Sequence, residues 1–350
     1  MDRQVWSTDP WSVDDSNYPR NGTVSDKLAF CLHYAVMAPS IHNTQPWRFR
    51  IADNAIELLA DRSNALPATD PDGRELIISC GAALMNLLTA LHHFGHETWV
   101  QYEPDPQHPD TLARVRLGRE RFPDAEDGSL FRGIRRRRSS RQPFQARPIP
   151  RALQRRMIWL ASEHGCWLYF IESEQGRSQI LSLVEEAHTR RQSDLQYQSE
   201  RAHWLGYGDP PSGIAQKANV AEIVEPTDEV DPRHSKALTL ENASRWIERD
   251  RELLRSTATI VLLGTDRDAT FNWIQAGQAV QKILLRAASE EISTSFLHQP
   301  CQIPELREQL RHIAGREGPV QSMLRLGYGN TVYPHSPRLS VEQVLLPNGP

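Results

Sequence analysis

Residues 78–100 of this chain read ISCGAALMNLLTALHHFGHETWV, and residues 274–296 read IQAGQAVQKILLRAASEEISTSF. The two stretches align without a gap at an offset of 196 residues, which places Gly81 opposite Gly277. In both, apolar residues recur at the i, i+3, i+4, i+7 spacing of a helix with one apolar stripe, and a short β-prone stretch follows. One recurrence at so long a period indicates a duplicated domain rather than a solenoid.

The regions around this repeat also favour two similar halves. Residues 26–38 and 151–162 have helical apolar spacing, and β-prone stretches follow them. Between helix and strand the first half has PSIHNTQP, at residues 39–46, whereas the second half has only EHG. The pattern predicts an α+β fold made of two tandem halves.

We divide the chain into an N-terminal extension at 1–25, a first half at 26–121, a Pro/Asp/Glu-rich linker at 122–130 and a second half at 131–350. Within the second half, residues 186–240 have no counterpart in the first half; an arginine-rich helical arm is predicted to Trp204, and an acidic, proline-containing segment follows to His234. An insertion of this length in a compact protein is typical of a lid or arm. A disordered segment is the alternative.

Composition excludes several classes of protein. The 350 residues carry 40 basic and 44 acidic side chains, and this balance argues against a surface made for nucleic acid or anionic membranes.

The four cysteines are far apart without a CxxC pair, which excludes zinc ribbons, iron–sulfur clusters and thioredoxin chemistry. No Asp, Glu or Cys completes a ligand set with His92, His93 and His96, and two of these histidines would face different directions, so no metal site is predicted. With no long apolar run or signal-like start, we expect a soluble cytoplasmic protein.

The loop at 39–47, PSIHNTQPW, concentrates hydrogen-bonding side chains between two prolines. Prolines limit backbone freedom, so the loop can hold its polar groups in place. Such a loop is suited to a flat, multiply substituted ring, and an ordinary capped turn is the alternative. The polar side chains are Ser40, His42, Asn43, Thr44 and Gln45.

A second polar loop, residues 132–144, interleaves arginines with serines in the order RGIRRRRSSRQPF. Guanidinium groups and hydroxyls together satisfy the anionic oxygens of a phosphate monoester. The alternatives are a solvated charge run, an RNA-binding arm and a nuclear-type basic signal. The run has no interleaved aromatic residues, which weakens the RNA alternative.

Taken together, these segments resemble the nitroreductase family of flavoproteins, most closely its tandem-repeat Acg-like branch. The resemblance covers about residues 26–346. PSIHNTQPWRF resembles the family's PSxxNxQPW loop, and the arginine run resembles its RxSxR...F opening. The segments GTDRDATFNWIQAGQAVQKILLRAA, RLGYGN and SPRLSVEQVL resemble the closing section of the branch.

Ordinary family members are homodimers that hold FMN at the subunit interface, with the arginine/serine loop from one subunit and the PSxxN loop from the other. In this chain each loop occurs once, and the two loops lie on different halves. The resemblance therefore implies an intramolecular pseudo-dimer with one FMN site per chain. The symmetry-related second site should be lost.

The resemblance also implies the roles of individual residues. The arginine/serine loop and the arginine of SPRL would hold the phosphate and the polar edge of the isoalloxazine. The PSIHN loop would contact the ring and the ribityl chain, and the segment 297–299 would lie near flavin N5. The predicted cofactor-binding residues are Arg137, Ser139, Arg141, Arg338, Ser40, Asn43, Gln45, His42, His298 and Gln299.

Two positions depart from the family pattern. Ser336 stands where many members have a basic residue, which would remove one charge-assisted phosphate contact of about 1.5–3 kcal/mol. Glu291 stands where the first repeat has Gly95. Neither change removes the predicted site.

The function that the resemblance implies is an FMN-dependent oxidoreductase. NAD(P)H would donate electrons through the flavin to a quinone, a nitroaromatic compound or another small molecule. No protein side chain needs to be catalytic, because the flavin carries the chemistry. One alternative is a flavin-sequestering protein whose 186–240 lid blocks NAD(P)H, and another is an arginine-rich nucleic-acid or protein interaction module. No nucleic-acid, membrane or metal partner is expected for the oxidoreductase, and further homodimerisation is left open.

Overall fold

The computed structural model describes residues 9–206, 214–215, 240–257, 259–329 and 334–347. The strands are β1 (Trp47–Ala52), β2 (Ala55–Ala60), β3 (His96–Tyr102), β4 (Thr111–Glu120), β5 (Cys166–Ile171), β6 (Leu205–Gly206), β7 (Ile214–Ala215), β8 (Thr259–Thr265), β9 (Ser293–Phe296) and β10 (Val320–Gly327). The helices are α1 (Val24–Ala35), α2 (Arg74–His93), α3 (Ala125–Arg136), α4 (Arg151–Ser162), α5 (Glu174–Gln192), α6 (Leu195–Trp204), α7 (Leu240–Ser256), α8 (Thr270–Ser289), α9 (Pro304–Ala314) and α10 (Val341–Val344).

Two four-stranded sheets repeat the same topology. The first has the order β1-β2-β4-β3 and the second the order β5-β8-β10-β9, and every neighbouring pair in both is antiparallel. Each hydrophobic face packs against helices, as a sheet with one apolar side requires. The predicted α+β class with two tandem halves is confirmed.

The repeated helices α2 and α8 cross at the two glycines that the sequence repeat aligns. A Cβ atom on Gly81 would lie 2.3 Å from the carbonyl oxygen of Ile274, and one on Gly277 would lie 2.1 Å from the carbonyl oxygen of Ile78. These contacts are reciprocal at the same offset of 196 residues, as in the isologous interface of a two-fold dimer. The crossing therefore needs glycine on both helices.

Helix α2 forms the centre of the first core. It has the length and hydropathy of a membrane-spanning helix, but 89% of its apolar window is buried inside the protein. After each repeated helix the backbone enters the left-handed region, with φ of 90° at Gly95 and 59° at Glu291. The glutamate occupies a conformation that normally favours glycine, at a cost of about 1 kcal/mol.

Helix α3 begins inside the stretch predicted as a linker. The side chain of Asp124 accepts a hydrogen bond from the backbone N–H of Asp127, and the side chain of Asp127 accepts one from the N–H of Asp124, both at 2.8 Å. This capping box starts the helix just after Pro123. Gly133 then packs tightly against α8, since its Cβ would lie 2.4 Å from the carbonyl oxygen of Leu285. The C-terminal end of α3 is thereby fixed where the arginine run begins.

The predicted lid or arm at 186–240 begins as helix. Its described part comprises the end of α5, all of α6 and the short strands β6 and β7, whereas residues 207–213 and 216–239 lie outside the described residues. Helix α6 docks on the first half, because Glu200 accepts hydrogen bonds from the backbone N–H groups of Ala68 and Thr69 at 2.8 and 3.0 Å. Arg191 adds a hydrogen bond to the carbonyl oxygen of Ala68 at 2.8 Å. The arm thus connects the two halves.

Candidate functional site

The PSIHN loop has an unusual backbone. His42, Asn43 and Gln45 have φ values of 48°, 56° and 50°, which are uncommon for residues other than glycine. Within the loop, Ser40 Oγ accepts a hydrogen bond from the N–H of Gln45 at 2.9 Å. Left-handed residues of this kind cost about 1–3 kcal/mol each and cluster at functional sites.

The C-terminal segment folds onto this loop. Arg338 Nη1 donates to Asn43 Oδ1 at 2.9 Å, and Asn43 Nδ2 donates to the carbonyl oxygen of Pro337 at 3.1 Å. Gln45 Oε1 accepts from the N–H of Leu339 at 2.8 Å. Arg338 and the pair Asn43 and Gln45, predicted from two separate motifs, therefore lie together. The side-chain amides of Asn43 and Gln45 therefore use some of their hydrogen bonds to position Arg338.

Arg137 and Arg338 belong to a buried cationic cluster, in which the charge of Arg137 acts on Arg338. Burial, followed by the charge of Arg138, lowers the pKa of Arg137 to about 10, and burial with the charges of Arg137 and Arg138 lowers the pKa of Arg338 to about 9. The Nε atoms of Arg137 and Arg338 are buried without a hydrogen-bond partner, and no carboxylate of the described residues pairs with either group. Ser139 Oγ lies 3.5 Å from Arg137 Nη1. Such a cluster favours an anion.

The N-terminal segment completes this cluster, which the sequence analysis missed by treating residues 1–25 as an extension. Trp11 Nε1 donates to the carbonyl oxygen of Ser336 at 3.0 Å, and its ring stacks on that of His335 with centroids 3.7 Å apart. The guanidinium groups of Arg138 and Arg338 lie over the Trp11 ring at 5.8 and 5.5 Å. The run of polar residues around Trp11 gives no periodic signal.

Arg141 and His42 lie in the electrostatic range of the arm. Burial lowers the pKa of Arg141 to about 10, with further contributions from Arg249 and Arg201. Burial and Arg201 lower the pKa of His42 to about 4, against the opposing effect of Glu75. His42 is therefore neutral at pH 7, and its buried Nε2 has no hydrogen-bond partner.

His298 belongs to a polar network between the halves. Its Nε2 atom lies 2.8 Å from Ser322 Oγ, and its Nδ1 atom lies 3.6 Å from Glu75 Oε2. Burial alone would raise the pKa of Glu75, but His298, Arg74 and Gln302 together lower it to about 2. The neighbouring Gln299 has a buried Oε1 without a partner.

Arg74 and Glu75 fix the loop that carries His298 and Gln299, and the sequence analysis missed both. Arg74 donates to the carbonyl oxygens of Gln321 and Cys301 at 2.8 and 2.9 Å and to Glu75 Oε1 at 3.0 Å. The sequence signal that could have revealed them is a charged pair at the start of an otherwise apolar helix. Charged side chains on a buried helix need buried partners elsewhere in the fold.

Comparison with known proteins identifies the family. The family model described as "Nitroreductase family" matches residues 134–328, more than half of the chain. The chain is also 30% identical over 337 residues to the Mycobacterium tuberculosis protein Rv3131, which carries the provisional name NAD(P)H nitroreductase, and the match covers 95% of this chain and 93% of that protein. This chain belongs to the nitroreductase family.

Other nitroreductases are more distant. The M. tuberculosis protein acg, also provisionally named an NAD(P)H nitroreductase, is 23% identical over 331 residues, covering 93% of this chain and 97% of that protein. A Bacteroides fragilis nitroreductase solved with bound FMN has a TM-score of 0.38 and 15% identity, over 59% of this chain and 91% of that one. The predicted membership of the Acg-like branch of nitroreductases is confirmed.

The symmetry-related position of this nitroreductase lacks the polar network. Subtracting the repeat offset from His298 gives Tyr102, and adding it to Glu75 gives Phe271. The rings of Tyr102 and Phe271 contact each other edge to face at 5.3 Å. The PSIHN loop is also missing there, because only residues 163–165 separate α4 from β5.

Proposed function

We propose that this chain is a soluble, cytoplasmic FMN-dependent oxidoreductase. NAD(P)H supplies the electrons, and a quinone, a nitroaromatic compound or another small molecule accepts them. The observation that carries the proposal is the pair of buried, carboxylate-free guanidinium groups of Arg137 and Arg338 beside the PSIHN loop. The names of the mycobacterial relatives and the bound FMN of the Bacteroides protein support it.

The side chains fit FMN. The unpartnered Nε atoms of Arg137 and Arg338 are donors for a phosphate dianion, and Ser139 adds a hydroxyl. His42 and Gln299 have further buried polar atoms without partners, which a flavin ring or ribityl chain can satisfy. Arg141, Ser40, Asn43, Gln45 and His298 complete the proposed binding set, of which Asn43 and Gln45 act largely by placing Arg338.

The bound flavin supplies the electron-transfer chemistry, and the chain supplies binding, orientation and electrostatics. Arg137 and Arg338 bind the phosphate in a buried environment where charge-assisted hydrogen bonds are strong. His42 stays neutral at pH 7 because its pKa is about 4, so it adds no charge beside the flavin. The ionised Glu75 and Arg74 hold the 298–302 loop in position.

A flavin-sequestering role is the second candidate. Helix α6 of the arm is anchored on the first half through Glu200, and Arg201 on the same helix acts on the pKa of His42. An arm so placed can limit the approach of NAD(P)H. The interaction-module alternative is disfavoured, because Arg137 and Arg338 are buried and unable to reach a macromolecular partner.

Anaerobic mixing of the FMN-loaded protein with NADPH or NADH distinguishes these candidates. The oxidoreductase proposal expects rapid bleaching of the flavin absorbance band and its return when a quinone or nitroaromatic compound is added. An unchanged band in the wild type, with bleaching in Glu200→Ala, would favour sequestration by the arm. A protein purified without flavin that does not bind FMN would contradict both.

A further inference from the structure

We propose that His335 is a neutral hydrogen-bond donor to the FMN phosphate and supplies the contact that Ser336 cannot. The inference rests on the proposed function, and it assigns a role to a residue outside the predicted set. His335 directly precedes the serine that occupies the family's basic position, and it lies beside the cluster of Arg137, Arg138 and Arg338.

The contact with Arg138 fixes the tautomer of the imidazole. Arg138 Nη2 lies 2.6 Å from His335 Nε2. A guanidinium group has only donors, so Nε2 must be the acceptor in this hydrogen bond. The ring proton of the neutral imidazole is then on Nδ1. The same Arg138 group also donates to the carbonyl oxygens of Arg135 and Arg137, which keeps it in place.

The donor on Nδ1 lacks an acceptor. Nδ1 of His335 is buried and has no hydrogen-bond partner. A buried N–H group without an acceptor costs about 1–3 kcal/mol, and such groups are rare in native proteins. The unpartnered Nε atoms of Arg137 and Arg338 belong to the same cluster. One anion with several acceptor oxygens satisfies all three groups, and a phosphate dianion has the required number.

The surroundings of His335 favour a neutral donor over a fourth cation. Burial and the charges of Arg138, Arg338, Arg137 and Arg135 hold its pKa at about 4. The Trp11 ring stacks on the imidazole at 3.7 Å and is tethered through its Nε1 to the carbonyl oxygen of Ser336, so the ring plane is fixed. A lysine here would add a positive charge to a crowded cluster, whereas a neutral N–H adds a phosphate ligand without that repulsion.

Two variants test the proposal in the full-length apoprotein. His335→Leu removes the donor, and His335→Asn keeps an N–H donor near the position of Nδ1. Binding of FMN and of riboflavin, which lacks the phosphate, is followed by quenching of flavin fluorescence. We expect His335→Leu to weaken FMN binding by about 10- to 100-fold and to leave riboflavin binding within about twofold. His335→Asn should recover most of the loss.

The ¹⁵N resonances of the wild-type imidazole give an independent measurement. We expect the Nδ1–H tautomer in the apoprotein, and a shift of this proton on addition of FMN but not of riboflavin. An Nε2–H tautomer would overturn the proposal even if His335→Leu failed to fold.

The possible failures are distinguishable. Equal losses for FMN and riboflavin in His335→Leu, or no loss for either, would overturn the role of His335 while the proposed function stands. A wild-type protein that binds riboflavin as tightly as FMN would overturn the proposed phosphate site and this inference with it.

Discussion

The two halves bring equivalent elements to two symmetry-related positions, which have diverged completely. At one position the eleven-residue connection between α1 and β1 meets the arginine run after α3, and His298 faces the buried Glu75. At the other, a three-residue turn joins α4 to β5, and Tyr102 packs on Phe271. A fused dimer needs only one complete set of loops for one site, so the second position can fill with aromatic packing.

The two halves share the crossing of α2 and α8. There each helix contributes one glycine, Gly81 or Gly277, that contacts the backbone of the other helix. The functional differences lie in loops and at the ends of helices, whereas the crossing itself keeps its two-fold character. Duplicated architecture therefore survives where backbones touch. Side chains differ at the two positions, one of which we propose binds the flavin.

The largest expected effect comes from breaking the shared crossing. Gly81→Leu places a side chain where even a Cβ atom lies 2.3 Å from the backbone of α8, so the helices must separate. We expect a loss of at least about 3 kcal/mol in the free energy of unfolding, measured by urea denaturation. Gly128→Ala in α3 is the control, because its Cβ would meet only the flexible end of Arg132 at 3.5 Å. Equal stability of the two variants would refute the close crossing.

The next largest effect is expected on FMN binding at the position beside the PSIHN loop. Arg338→Leu removes a buried guanidinium group from the proposed phosphate site, and we expect about 100-fold weaker FMN binding to the apoprotein. Arg155→Leu, on the exposed face of α4, is the matched control and should bind FMN normally. If both variants bind FMN as the wild type does, the phosphate lies elsewhere.

Glu75→Gln tests the polar network that the other position lacks. The pKa of Glu75 is lowered to about 2 in the folded protein, below its unfolded value near 4.5, so its ionised form stabilises the fold above pH 4.5. This contribution, about 3 kcal/mol, is lost as the pH falls from 4.5 to 2. The difference in unfolding free energy between wild type and Glu75→Gln should therefore shrink over that range. A difference independent of pH would show that the ionisation of Glu75 contributes nothing.

The smallest effect is expected at the symmetry-related position, where Tyr102 packs on Phe271. Tyr102→Phe removes the hydrogen bond from the phenol to Gln278 Oε1 at 3.1 Å and keeps the ring contact with Phe271. We expect a loss of about 1 kcal/mol in stability and unchanged flavin affinity. Weaker flavin binding in Tyr102→Phe would mean that this position still serves the cofactor.

Sequence patterns predicted what depends on periodicity and short motifs. The i, i+3, i+4 spacing indicated α2 and α8, and the repeat aligned Gly81 with Gly277, whereas their contact in space is a finding of the structure. The PSIHN loop and Arg338 were predicted through a family resemblance and lie together. Residue roles within the cofactor site stay predictions.

Long-range partners could not be predicted from the sequence. Trp11 contacts His335 across more than 300 residues, and Arg74 reaches Gln321 across more than 240. Neither contact leaves a periodic signal, because each joins segments far apart in the chain that only the tertiary fold brings together. The start of α3 was also missed, since its capping aspartates looked like linker composition.

The most direct test of the central claim is the number of FMN molecules bound per chain, measured by titrating the apoprotein with FMN and quantifying bound flavin after equilibrium dialysis. The divergence of the two positions predicts one FMN per chain, with binding lost in Arg338→Leu. Two equivalent FMN molecules per chain would contradict it, because the position at Tyr102 and Phe271 would then be a working site.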